Sequence, residues 1–232
     1  MSRRTVGVIG GMGPAATVQF MARVQELTPA SCDQDHLRLL VDCNPAVPDR
    51  NAALESDGSS PAAVLIEMAL GLERAGAELL VMPCNSAHAF AEAITRAASA
   101  PFIDLIETAC DSVMALEPRV VGVLAADGCL AAGLYQRALA KRGVEPLLSR
   151  PDHQARFMEL LYRIKAGDRS ASTRAQMRGL ALRLVEDGAD VVLAGCSETP
   201  LVLAPGDIPS PFVDSVDALA RRTVALATGG DA

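Results

Sequence analysis

Two cysteines stand in equivalent places of a chain that repeats itself. Cys84 follows the apolar run LLVMP and precedes Asn85-Ser86; Cys196 follows VVLAG and precedes Ser197-Glu198-Thr199. The surrounding stretches, GAELLVMPCNSAH (Gly76–His88) and GADVVLAGCSETP (Gly188–Pro200), share one pattern. Each thiol therefore sits where a strand is expected to end and a helix to begin. Asn85 and Ser86 are good helix-capping residues, and Pro200 suits a first helical position. In open α/β sheets, ligands bind beyond the carboxyl ends of the strands. Helix N-termini there bring free N–H groups and partial positive charge, which hold a carboxylate and lower a thiol's pKa.

Two thiols on opposite sides of a cleft have a specific chemistry. One thiolate removes a proton from carbon while the other thiol delivers a proton to the opposite face, which inverts a stereocentre. An ordinary thiol has a pKa of about 8.5, so modest tuning makes both forms accessible near neutrality. The carbon acid must be activated by its own carboxylate, held by hydrogen-bond donors. A lone cysteine at a strand end is more often a packing residue. Two at matching positions of a repeat, each followed by helix-starting polar residues, favour the chemical reading. Cys32, Cys43 and Cys110 lack that setting and read as structural.

The positive groups narrow the chemistry further. Of 21 basic residues only Lys141 and Lys165 are lysines. A pyridoxal phosphate enzyme would need one of them as its Schiff base, and neither follows a strand in a phosphate-binding context. Most arginines are solvated surface charges. Arg50, in a Pro-Asp-Arg loop after the second apolar run, lies at the expected carboxyl edge of a sheet, where its fork suits a carboxylate. Asp49 reads as its structural or orienting neighbour. Lys165, in YRIKAG, lies near a helix end, where the dipole alone already favours a lysine. His88 reads as a packing or capping group, and His36 and His153 have no evident partner. Three histidines without metal-ligand spacing argue against zinc.

A rival from another class comes from Gly11-Met12-Gly13-Pro14-Ala15-Ala16. It fits G-x-G-x-x-A after a first strand, with Asp42 as the ribose-binding acid of a dinucleotide site. Pro14, however, removes an N–H that would help hold pyrophosphate, and the rival leaves the paired cysteines unexplained. The turn, with Met12 at its centre, reads better as bringing the chain close to a small ligand.

The elements that must position these groups are legible as alternation. Strand-length apolar runs occur at Thr5–Gly10, Leu37–Cys43, Glu78–Pro83, Phe102–Ile106, Val120–Ala125, Glu145–Ser149, Asp190–Ala194 and Phe212–Val216. Helical periodicity lies between them, as in Pro61–Ala75, Ser86–Ala98 and Ser172–Asp187. Continuous apolar strands between helices imply parallel sheets covered on both faces. VGV at Val6–Val8 returns at Val121–Val123, and PFIDLIETA (Pro101–Ala109) returns as PFVDSVDAL (Pro211–Leu219), in the same order as the cysteine stretches. The expected architecture is two similar α/β domains related by pseudo-twofold symmetry, with a cleft between them. The expected division is 1–104 plus 213–232 for the first domain and 105–212 for the second, the last helix packing back on the first.

Composition excludes other classes. The 232 residues are 50% hydrophobic and 3% aromatic, with a net charge of −7. That supports a packed core, and the absence of a lysine-rich run argues against nucleic acid and membrane surfaces as partners. Six dispersed cysteines without a CxxC pair fit reduced thiols in a cytoplasm. The opening MSRRTVGVIGGMGP reads as a first strand, and no apolar stretch is long enough to span a bilayer.

On the residues GGMGPAAT (Gly10–Thr17), NPAVPDR (Asn44–Arg50), MPCNSAH (Met82–His88), VGVLAADG (Val121–Gly128) and GCSETPLVL (Gly195–Leu203), the chain resembles the aspartate/glutamate racemase family, and more closely its aspartate racemase branch. The resemblance implies a two-domain α/β fold, a homodimer and cofactor-independent two-base racemisation of an acidic amino acid. It makes Cys84 and Cys196 the two bases. Met12, Asn85, Ser86, Ser197 and Glu198 become substrate-binding residues, and Arg50 with Lys165 a clamp for the side-chain carboxylate. Glu198 stands where typical glutamate racemases have a histidine, which favours aspartate. Ser86, Ser197, Ala126 and Cys129 stand where threonine is common, which removes methyls or hydroxyls near the substrate. Glutamate or other amino acids, hydantoin racemisation, arylmalonate decarboxylation and silent binding of an acidic amino acid remain as alternatives.

Overall fold

The computed structural model describes residues 3–55 and 58–229; residues 1–2 and 230–232, which the expected first domain includes, lie outside the described part. Eight short strands form where the apolar runs were read: β1 (Val6–Gly10), β2 (Leu39–Cys43), β3 (Leu79–Val81), β4 (Phe102–Ile103), β5 (Val120–Ala125), β6 (Glu145–Leu148), β7 (Val191–Gly195) and β8 (Phe212–Asp214). They make two four-stranded sheets of the same order, β2-β1-β3-β4 and β6-β5-β7-β8. Every pairing is parallel. The helices are α1 (Pro14–Leu27), α2 (Arg50–Glu55), α3 (Ala62–Arg74), α4 (Ala91–Ala97), α5 (Leu105–Met114), α6 (Asp127–Ala131), α7 (Leu134–Ala140), α8 (Pro151–Lys165), α9 (Ala171–Glu186) and α10 (Ser215–Ala227). None is long and apolar enough to cross a membrane among the described residues.

The period of two along the inner strands separates the core into layers. Val6, Val8, Leu79 and Val81 of the first sheet and Val121, Val123, Val191 and Leu193 of the second enter one shared core with α1, α5, α7 and α10. The intervening residues face outward: Ile9 and Leu80 pack under α3, and Leu124 and Val192 pack under α8 and α9. The outward positions Gly7 and Gly122, the centres of the two VGV repeats, admit the covering helices closely. A Cβ on Gly7 would lie 2.8 Å from Ala77 Cβ, and one on Gly122 would lie 2.9 Å from Leu184 Cβ.

The PFID and PFVD repeats mark strand-to-helix corners. Asp104 caps α5 by accepting from the Ile106 and Glu107 N–H groups at 2.8 and 3.0 Å. Asp214 caps α10 by accepting from Val216 and Asp217 at 2.7 and 3.3 Å. Although α5 follows β4, it lies against β7 and β8; α10 follows β8 yet lies along α1 and touches β3 and β4. An Arg23–Asp217 ion pair and a 2.9 Å bond from Arg4 N–H to the Ala227 carbonyl tie α10 to the first sheet's helix and strand entry. The two sheets are thus joined through a helical layer that each half supplies in part.

Candidate active site

The carboxyl ends of the strands converge on one pocket lined by Met12, Arg50, Cys84, Asn85, Ser86, Lys165, Cys196, Ser197 and Glu198, together with Asn51, Ala126 and Leu161. All nine candidate residues named from the sequence lie on it. Met12 follows β1, Cys84 follows β3 and Cys196 follows β7; Arg50 opens α2 and Lys165 ends α8. Both halves contribute a thiol. The enclosed space is only about 20 Å³, room for one water molecule. Cys84 and Cys196 are each 5% exposed and Glu198 3%, so the pocket is closed.

The turns after the cysteines differ from the helix starts expected of them. Ser86–Phe90 and Thr199–Leu201 are short 3₁₀ turns, and Asn85 has helical backbone angles with no side-chain cap bond. The turn after Cys84 runs directly into α4, whereas the turn after Cys196 is three residues long and aligns few peptide dipoles. For Cys196 the expected lowering of the thiol pKa is in fact reversed. Burial first, and then the neighbouring Glu198 carboxylate, push its thiol well above the ordinary cysteine value. The thiol donates to Glu198 Oε2 at 3.3 Å.

Glu198 is the hub of the second half's contribution. Its Oε2 also accepts from Ser197 Oγ at 3.1 Å, and Oε1 accepts from the Gly13 N–H at 3.1 Å. Lys165 Nζ lies 3.9 Å from Oε1. Burial opposes the lysine's charge most strongly, but attraction by Glu198, Cys196 and Cys84 together outweighs it and raises its pKa. The cation is therefore held beside Glu198, on the wall of the pocket that both thiols line. The Gly11–Gly13 turn has its amides engaged within the protein: Gly11 N–H donates to Thr17 Oγ1 at 2.9 Å and Gly13 N–H to Glu198. That is a turn facing a carboxylate, not one offering those amides to a pyrophosphate.

Arg50 is not in a loop, as the Pro-Asp-Arg spelling suggests, but is the first residue of α2. Asp49 caps this helix, accepting from Asn51 and Ala52 N–H at 2.8 and 3.0 Å. Arg50 is buried, and one terminal nitrogen donates to the Val47 and Pro48 carbonyls at 3.2 and 3.0 Å. Its Nε is buried without a partner among the described residues, and its guanidinium pairs with no carboxylate there. The fork is thus held by its own turn with donor capacity left over.

His88 is structural. Leu105 N–H donates to Nε2 at 3.0 Å, which leaves the proton on Nδ1 to donate to the Cys84 carbonyl at 2.8 Å. Burial lowers its pKa, against smaller opposing effects of Asp104 and the Cys84 backbone. Cys110 and Cys129 are buried, with thiols pushed up to about 12 and above by desolvation. Cys32 and Cys43, read from sequence as structural, are exposed and pack no core.

Three contributors have no local signature in the sequence. Asn51 Oδ1 accepts from Gly128 N–H at 3.2 Å, and its Nδ2 donates to the Tyr162 hydroxyl at 3.2 Å. The Tyr135 hydroxyl donates to Asn85 Oδ1. Both tyrosines of the chain thus reach from the second half to a first-half asparagine. The scarcity of aromatics was the one sequence feature that could have drawn attention to them.

Comparison with known proteins gives the family and the fold. The chain is 28% identical over 224 residues to the broad specificity amino-acid racemase RacX of Bacillus subtilis, covering 94% of this chain and 96% of that one. Its fold superposes on Picrophilus torridus aspartate racemase with a TM-score of 0.88 at 26% identity, covering 97% of this chain and 94% of that one. An aspartate racemase homologue from Pyrococcus horikoshii shares the fold at 21% identity, with a TM-score of 0.78 over 97% of this chain and 99% of that one. The Asp/Glu/hydantoin racemase family model matches residues 9–223, and the chain belongs to that family.

Proposed function

We propose that the protein is a cofactor-independent amino-acid racemase acting on an acidic amino acid, with aspartate as the preferred substrate. The observation that carries this reading is the convergence of both repeat-related thiols on one closed pocket with Arg50, Lys165 and a set of amide and hydroxyl groups. In the form described, Cys196 is the acid, since its thiol donates to Glu198. Cys84 acts as the base. Its thiolate takes the Cα proton; the C–H bond breaks, an S–H bond forms, and the electron pair moves into the substrate carboxylate. Cys196 then delivers its proton to the opposite face of Cα. The product leaves with inverted configuration and the two thiols exchange roles. Asn85, Ser86 and Ser197 hold the α-carboxylate on which the charge develops. Arg50 and Lys165 hold the side-chain carboxylate, which a protein of net charge −7 otherwise repels.

The likeness to an aspartate racemase supports the substrate, and the likeness to a broad specificity racemase supports a wider range as the second reading. Incubating single enantiomers in D₂O without added cofactor separates them. Deuterium at Cα and optical inversion are expected for aspartate first. Inversion of neutral amino acids at equal rate would favour the second reading, and none with any amino acid would remove both. Alanine at either Cys84 or Cys196 is expected to lower racemisation by several orders of magnitude; two active single variants would remove the two-base assignment. Six free cysteines support a reducing, cytoplasmic setting. The homodimer carried by the same family reading is tested by sedimentation.

A further inference from the structure

Tyr135 touches a chain neighbour of each thiol: the residue before Cys196 and the residue after Cys84. Its side chain is fully buried in α7, with no exposed surface. The ring lies on Gly195, the residue before Cys196: a Cβ there would stand 2.6 Å from Tyr135 Cε2. The hydroxyl reaches the other half and donates to Oδ1 of Asn85, the residue after Cys84. Asn85 is 2% exposed and lines the pocket, and its Nδ2 is buried without a partner among the described residues. A buried amide that rotates freely can present either its oxygen or its nitrogen to the pocket. With the oxygen engaged by the tyrosine, the nitrogen is the end left over. A buried donor without a partner is costly unless a ligand supplies the acceptor.

We infer that Tyr135 is a positioning residue for substrate: it holds the Asn85 carboxamide so that its Nδ2 donates to the carboxylate of the bound amino acid. The inference rests on the racemase reading for the identity of the ligand. It explains why a tyrosine, and not a phenylalanine of equal shape, fills a site buried from solvent. Without the hydroxyl the amide can turn, set its oxygen against the substrate carboxylate, and repel it.

The test is Tyr135→Phe, which keeps the ring against Gly195. With the amino acid that the native protein turns over best, kcat/KM is expected to fall about tenfold, with kcat lowered as well as KM raised, because charge develops on the carboxylate that the amide holds. The melting temperature should stay within a few degrees. In an Asn85→Ala background the same change should add nothing, because the group it positions is gone. An unchanged kcat/KM, or equal losses in both backgrounds, would overturn the proposal. A second measurement needs no turnover. The Asn85 side-chain amide signals of ¹⁵N-labelled protein, assigned by their absence in Asn85→Ala, should move in Tyr135→Phe; signals that stay in place overturn the contact. If Tyr135→Phe does not fold, addition of L-aspartate to the native protein decides, and unmoved Asn85 signals overturn the proposal. A native protein that racemises nothing would remove the proposed function, while the amide signals would still decide the role of Tyr135.

Discussion

At the residue scale the two thiols are not equivalent, although the repeat makes them so in sequence. Cys196 is followed by a buried carboxylate two residues on, whereas Cys84 is followed by an amide and a hydroxyl. The charge of Glu198 and its bond to the thiol both favour the protonated form of Cys196, while the Glu198 backbone N–H favours the thiolate. Neutralising the carboxylate removes its charge, weakens the bond that it accepts, and keeps the backbone N–H. Glu198→Gln is therefore expected to move the alkylation midpoint of Cys196 to lower pH, read by mass spectrometry of its peptide across a pH series. A midpoint that stays or rises would mean that desolvation alone sets this thiol.

At the scale of elements, the repeated glycines and one histidine set how closely helices meet the sheets. Gly122 lies under Leu184 of α9, and an added methyl meets Cβ atoms that cannot rotate away. Gly122→Ala is expected to cost about 1–3 kcal/mol through overpacking, measured by denaturant unfolding, and Gly7→Ala the same in the first half. His88 joins the carbonyl of Cys84 to the first amide of α5. His88→Ala leaves both buried groups unpaired and should cost about 2–4 kcal/mol. Burial holds the imidazole below its ordinary value of 6.5, so the unfolded chain takes up the proton first. The histidine's contribution is full above pH 6.5 and is lost as pH falls below it; the unfolding free energy of the native protein should fall there more steeply than that of His88→Ala.

At the scale of the whole molecule, the pocket is closed by bonds that cross between the halves. Gly13 to Glu198, Asn51 to Gly128 and Tyr162, and Tyr135 to Asn85 all do so. A space of about 20 Å³ holds no amino acid, so entry requires the Gly13–Glu198 and Asn51 contacts to part, while the Tyr135–Asn85 bond stays within the site. Arg50, Lys165 and Glu198 also line a recess of about 380 Å³ beside the start of α1 and the end of α8, so these three side chains border both recess and pocket. Asn51→Ala removes two cross-half bonds at once. Hydrogen exchange at the Gly128 amide is expected to speed up at least tenfold, with exchange in β5 and β7 unchanged. Equal acceleration in the strands would mean that Asn51 supports global stability and not closure.

The sequence by itself determined the alternation of strands and helices, the doubling of the unit and the residues that would meet at the strand ends. These follow from short-range patterns: an apolar run of strand length, a capping aspartate, a polar residue after a strand. Parallel order along each sheet then brings Cys84 and Cys196 to carboxyl edges, because all strands of a sheet end on the same side. Only the tertiary structure decided what each side chain touches there. Gly13 and Glu198 are 185 positions apart and Asn51 and Tyr162 are 111 apart, and no local pattern registers a bond across such a span. Local spelling also misjudged the turns after the thiols. Asn85 and Ser86 are capping residues by type, but the buried Tyr135 hydroxyl claims the amide that would have capped. Periodicity records which face of an element is buried; the choice of partner belongs to the closing of the two halves on each other.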